Sequence, residues 1–216
     1  MKKNNLKKRI ITSLILISFI FLIFNSLYLM TSSLLIIGIL SIPEFLNLSK
    51  RIFKKKIYFF LSNLFFILFI FIFSLFFFLL YNFPQSKFII LVLLIGCVSS
   101  DIGGYIFGKI LKGPKLTKIS PNKTFSGAIG SFIFSCTLFS SLIYYESKVF
   151  NLTIVIIGLM ISLFCQIGDL FFSYLKRKAN IKDTGNLLPG HGGLLDRLDG
   201  IFFGIPFGFI ALILLF

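Results

Sequence analysis

Residues 57–81 contain the run FFILFIFIFSLFFFLL and carry no charge at all. A helix needs ~20 apolar residues to cross the hydrocarbon core of a bilayer, and this segment is long enough with no polar face to turn towards water. Similar runs recur along the chain. They predict an all-α, polytopic integral membrane protein of about seven transmembrane helices, at roughly residues 10–25, 28–48, 57–81, 88–110, 125–145, 150–175 and 198–216. A transmembrane barrel is excluded, because its strands would alternate apolar and polar residues at every second position. The composition agrees: 57% of residues are hydrophobic, 13% are charged and the mean hydropathy is +1.00, too apolar for a soluble domain of 216 residues.

The basic residues set the expected orientation, since Lys and Arg favour cytoplasmic loops. Lys2, Lys3, Lys7, Lys8 and Arg9 precede the first span; Lys50, Arg51, Lys54, Lys55 and Lys56 follow the second. Lys109, Lys112, Lys115, Lys118 and Lys123 lie at the exit of the fourth and in the loop after it, and Lys176, Arg177, Lys178, Lys182 and Arg197 follow the sixth. If seven spans alternate, these fall on one side, with Lys87 and Lys148 opposite. The N-terminus is therefore expected in the cytoplasm. Topology and attraction to anionic lipid account for the net charge of +15, so no nucleic-acid partner is inferred. The N-terminal basic and apolar stretch lacks a small-residue cleavage site and reads as a signal-anchor span. Cys97, Cys136 and Cys165 sit inside apolar spans without zinc or disulfide spacing and read as packing residues.

One domain is expected over residues 1–216, with an N-terminal helical scaffold (1–87) and a catalytic half (88–216). Glu44, after Pro43, is the one acid of the scaffold. An intramembrane carboxylate is costly and faces a partner or cavity; a functional role and a structural ion pair are both open for it. Gly200, Gly204 and Gly208, like Gly104 and Gly108, have the spacing that lets helices approach closely. The segment GGYIFGKI mimics a phosphate-binding loop but has Ile110 where a Ser or Thr would hold magnesium, within a membrane helix, and is rejected.

The aspartates are Asp101, Asp169, Asp183, Asp196 and Asp199, all in the second half. Asp101 and Asp169 fall about 12 Å and about 10 Å from the basic ends of their spans at 1.5 Å per residue. Asp196 and Asp199, three apart, share a helix face. Clustered carboxylates without His or Cys suit a hard cation, which points to magnesium on Asp169, Asp196, Asp199 and Asp101, as one ion or a pair. Phosphate-binding groups surround them: Ser120, Lys123, Thr124 and Ser126 in KISPNKTFSG, at the N-terminus of the fifth span, and Lys176, Arg177, Lys182 and Arg197. The plainer alternative is a solvated loop with buried salt bridges such as Asp196 to Arg197 or Lys176.

The stretch SYLKRKANIKDTGNLLPGHGGLLDRLD resembles the signature of the CTP:phosphatidate cytidylyltransferases (CDP-diacylglycerol synthases). That pattern, S-x-x-K-R, K-D, P-x-H-G-G and D-R-x-D, is met by Ser173, Lys176, Arg177, Lys182, Asp183, Pro189, His191, Gly192, Gly193, Asp196, Arg197 and Asp199. SDIGGYIFGK and ISPNKTFSG resemble two further blocks, so the likeness covers roughly residues 95–205. Ser126 stands where the family pattern has a glutamate, and Phe125 where it often has a tryptophan. The resemblance implies CMP transfer from CTP to phosphatidate, with Asp169, Asp196, Asp199, Lys176, Arg177 and Arg197 catalytic. Ser120, Lys123, Thr124, Lys182, Asp183, His191, Gly192 and Gly193 would bind substrate. It agrees with the magnesium read from the carboxylates and with an active site at the cytoplasmic face read from the basic loops; the heavy Phe, Ile, Lys and Asn usage suggests a bacterial inner membrane, and a homodimer is left open. The rivals are a CTP-dependent polyprenol or phytol kinase and, from another class, a transporter, whose expected internal repeats the sequence lacks.

The orientation has a direct test. In sealed cytoplasm-inside vesicles, an impermeant thiol reagent should label Lys148→Cys and leave Lys54→Cys unlabelled until the vesicles are opened. The reverse pattern would overturn it.

Overall fold

The computed structural model describes residues 26–185, 187 and 192–215. Among them are six long helices: α1 (Leu27–Ile52), α2 (Lys56–Tyr81), α3 (Pro84–Ile110), α4 (Phe125–Ser147), α5 (Leu152–Lys178) and α6 (Leu195–Leu215). All six are long and apolar enough to cross a membrane. They match six of the seven expected spans; the expected span at 10–25 lies outside the described residues. The rejected phosphate-loop look-alike is the end of α3. α3 opens on Pro84, where a missing N–H costs nothing and the fixed φ suits a first turn. α6 begins at Leu195, three residues earlier than the hydropathy predicts, so Asp196 lies in its first turn. Hydropathy alone does not register a polar turn whose N–H groups are met by side chains.

The chain forms two compact units: residues 1–87 with 175–198, and residues 88–174 with 199–216. In the first unit α1 packs on α2. Phe45 and Phe66 stack with centroids 4.0 Å apart. Ser49 Oγ donates to Asn63 Oδ1 at 2.9 Å, while Asn63 donates to the Phe59 carbonyl, so both buried polar side chains are satisfied. Residues 175–198 therefore belong by their packing with the N-terminal helices, although in sequence they lie deep in the second half.

The second unit is built on small residues. Gly103, Gly104 and Gly108 of α3 face Gly127 and Gly130 of α4; a Cβ on Gly103 would collide with the Gly130 carbonyl and lie 2.7 Å from Phe134 Cβ. Gly158 of α5 meets Cys136 Cα of α4, and Ser135 Oγ donates to the Gly158 carbonyl at 3.1 Å. Along α6, Gly200 meets Cys165, Gly204 meets the Cys165 and Cys97 sulfurs, and Gly208 meets Ile161 and Leu93. The glycine spacing thus marks helix contacts, and the cysteines, all free, pack as expected. With lipid tails as apolar as the side chains, such close backbone approach is how membrane helices gain van der Waals contact.

These distances rank substitutions. Gly103→Ala must push α3 from α4 and should cost about 1–3 kcal/mol of overpacking. Gly38→Ala in α1 meets only the Ile70 side chain, at 3.3 Å, and should cost little. Thermal unfolding in detergent should show a clear loss for the first and a small change for the second.

Candidate active site

In the first unit the centre is Asp196. Lys176, on the last turn of α5, donates from Nζ to Asp196 Oδ1 at 2.8 Å; the two side chains are 12% and 7% exposed. Asp196 Oδ2 accepts from the Thr184 N–H at 2.8 Å and the Gly193 N–H at 3.0 Å, and lies 3.2 Å from Thr184 Oγ1. The bland expectation of an Asp196–Lys176 bridge is therefore met. The bridge joins the first and last blocks of the 173–199 signature. The glycines are required here: Gly192 has φ +84°, and a Cβ on it would lie 3.0 Å from Asp196 Oδ2. A Cβ on Gly193 would run into Thr184 Oγ1 and lie 2.5 Å from Glu44 Oε2.

Glu44 is the residue the motifs did not assign. It is buried in α1, yet its carboxylate reaches the start of α6. Oε1 accepts from the Leu194 N–H and Oε2 from the Leu195 N–H, both at 2.9 Å; Oε2 also accepts from Thr184 Oγ1 at 2.8 Å. These donors are neutral, so the carboxylate acts as a helix cap supplied from another helix. Its sequence signal was the single acid of an apolar half beside Pro43; the partners, 140 to 151 positions away, left none.

Elsewhere in this unit, Arg177 Nη1 donates to the Ile181 carbonyl at 3.4 Å and closes the end of α5. Lys182, Asp183 and Arg197 are exposed, and Asp183 borders Gly192. His191 lies outside the described residues.

In the second unit Lys123 Nζ donates to Asp169 Oδ2 at 2.7 Å, with the side chains 28% and 21% exposed. The helix carrying Asp169 touches the helix carrying Asp199: a Cβ on Gly168 would strike the Asp199 carbonyl, and one on Gly200 would lie 3.3 Å from Asp169 Oδ1. Asp199 Oδ1 accepts from the Gly200 N–H at 3.0 Å. Asp101 lies on α3 and is exposed.

The loop from α3 to α4 folds back on itself. Lys115 bridges Thr124, and the Leu116 N–H donates to the Lys123 carbonyl at 2.8 Å. This carries Lys123 to Asp169. A cavity of about 390 Å³ is lined by Lys115, Leu116, Thr117, Lys118 and Pro121. Ser120 lies in the turn, its N–H bound to Thr117 Oγ1 and its carbonyl to the Lys123 N–H. Thr124 caps α4, accepting from the Gly127 N–H at 3.1 Å, so that donor is already taken. Ser126 Oγ donates to the carbonyl of Lys112, a residue that itself has φ +52°. The position at which the resembled pattern has a glutamate therefore pins the loop.

A family profile now bears on this arrangement: that of the Cytidylyltransferase family matches residues 3–215. The chain belongs to the cytidylyltransferase family. Similar proteins include the phosphatidate cytidylyltransferase of Rickettsia typhi, 36% identical over 221 residues, covering 94% of this chain and 90% of that one. That of Rickettsia bellii is 46% identical over 127 residues, 54% of each chain. That of Helicobacter pylori strain J99 is 42% identical over 115 residues, 53% of this chain and 43% of the other. In the last two comparisons this cytidylyltransferase spans about half the relative's length.

The donor chemistry of the cytidylyltransferase fits a divalent cation in the second unit. Asp169 and Asp199 are oxygen donors on touching turns, and magnesium is usually held by one or two carboxylates plus substrate phosphate. No group of three His, Cys, Asp or Glu side chains is close enough to hold a metal among the described residues. Asp196 fits less well than expected, because both its oxygens already accept hydrogen bonds.

The two lysine pairs should differ in weight. Asp196→Ala strands a buried ammonium and two N–H groups, and should cost about 3–5 kcal/mol. Asp169→Ala breaks a more exposed pair and should cost about 1 kcal/mol. Equal losses in chemical unfolding would contradict that ranking.

Proposed function

We propose that this cytidylyltransferase transfers CMP from CTP to phosphatidate, giving CDP-diacylglycerol and pyrophosphate. The observation that carries the reading is the Lys176–Asp196 bridge. It brings a residue of the first block of the signature against one of the last, in a chain similar over 94% of its length to a protein named phosphatidate cytidylyltransferase.

A phosphatidate oxygen attacks the α-phosphorus of CTP, the bond to the bridging oxygen breaks, and pyrophosphate leaves. An ionised phosphate is already a nucleophile, so no strong general base is required. Charge builds on the α-phosphoryl and departing oxygens, and donors fixed in advance stabilise it. Lys123 and Lys176 suit that role because each is held by a carboxylate, which removes the usual freedom of a four-carbon stem. Arg177, Arg197, Lys182 and His191 are assigned to the nucleotide phosphates, and Ser120, Thr124, Asp183, Gly192 and Gly193 to shaping the substrate loops. Asp169, Asp199 and Asp101 are assigned to magnesium, which when bound would neutralise phosphate charge. Asp196 is assigned to orienting Lys176. The basic residues at the helix ends support a site at the cytoplasmic face of a bacterial inner membrane, where CTP and a leaflet lipid can meet. A homodimer is compatible with this assignment.

In mixed micelles containing phosphatidate, magnesium and CTP labelled at the α-phosphate, label should enter an organic-soluble lipid with equimolar release of pyrophosphate. Label remaining in water-soluble CDP would instead indicate γ-phosphoryl transfer to a lipid alcohol and overturn the reading. Asp169→Asn and Asp199→Asn should each lower turnover by roughly 100-fold.

A further inference from the structure

We infer that Glu44 is a positioning residue of the catalytic loop, acting from the otherwise apolar N-terminal helices on the Lys176–Asp196 pair. The inference rests on the proposed reaction for its catalytic meaning and on geometry for the rest.

All the groups involved lie in the first compact unit. The Glu44 carboxylate takes the Leu194 and Leu195 N–H groups, two of the donors that a helix start leaves unmet. A negative charge there also complements the dipole of α6. Its second link is Thr184, whose Oγ1 lies 2.8 Å from Glu44 Oε2 and 3.2 Å from Asp196 Oδ2. A hydroxyl has one proton, so it donates to Glu44 at the shorter distance and the Thr184 N–H serves Asp196. Lys176, Asp196, Thr184 and Glu44 thus form one continuous chain of contacts.

The surrounding sequence is shaped to admit Glu44. A Cβ on Gly185 would lie 2.7 Å from Oε1, and one on Gly193 2.5 Å from Oε2. Two glycines of the loop therefore leave room for this one side chain, which is 5% exposed. A carboxylate buried merely to be tolerated would not require such clearance on two sides. The arrangement locates both ends of the 184–195 segment, and with them the Asp196 carboxylate that orients Lys176.

Glu44→Gln keeps the shape and inverts one end. Whichever carboxylate position the amide nitrogen takes, it confronts a backbone N–H, donor against donor. Thr184→Val removes the hydroxyl at constant shape, and Thr184→Ser restores it. Glu44→Gln and Thr184→Val should each lower kcat by roughly 100-fold, as small misplacements do. Thr184→Ser should retain wild-type turnover, and the double variant should lose no more than either single one, because both act through one chain. A second readout is independent of activity: trypsin should cut after Lys182 faster in Glu44→Gln than in the wild type, in detergent and below the unfolding temperature of both. Wild-type turnover in Glu44→Gln and Thr184→Val, or equal cleavage after Lys182, would overturn the inference. If the wild type itself makes no CDP-diacylglycerol, the proposed reaction fails, and the cleavage rates still decide whether Glu44 holds the loop.

Discussion

A carboxylate placed in an apolar helix bundle must find donors or lose its charge, and the described residues around Thr184 and at the start of α6 are arranged around that requirement. Asp196 meets it with one ammonium and two backbone N–H groups. Glu44 meets it with two backbone N–H groups and a hydroxyl. Because those donors sit at the start of α6 and at Thr184, satisfying the acids also ties these two points together. The short polar turns, the glycines without clearance and the early start of α6 follow from the same demand.

The two lysine–carboxylate pairs show one device at two depths. Lys176–Asp196 is nearly enclosed, while Lys123–Asp169 is open enough for water or a ligand to reach. An enclosed pair contributes rigidity; a partly open one can exchange its partner for a phosphate or a cation. That contrast separates the orienting role given to Asp196 from the ligand role given to Asp169 and Asp199.

Much of this was legible in the sequence because membrane helices announce themselves by length. Six spans could be read from unbroken apolar runs, and the glycine spacing of α3 and α6 marked real contacts. The signature blocks also brought forward residues that do meet, Lys176 with Asp196 above all. Other features are invisible to local patterns. Glu44 and Leu194 are joined across most of the chain, and an isolated acid beside a proline reads equally as function or ballast. Thr124 and Ser126 read as phosphate ligands, yet their oxygens cap α4 and pin the preceding loop, because a helix start competes with substrate for the same hydroxyls. Asp196 reads from its spacing as a metal ligand, and its hydrogen bonds to Lys176, Thr184 and Gly193 are not legible there: spacing reports which face a carboxylate shares, not which donors it meets.

The glycine crossing of α3 and α4 bears on how a lipid could travel. Where Gly103 and Gly130 bring the backbones together, no methylene fits between the two helices, so an acyl tail cannot slip through that seam. Any sideways route for a hydrophobic substrate out of the leaflet must avoid this seam, which serves as a sealed wall rather than a door.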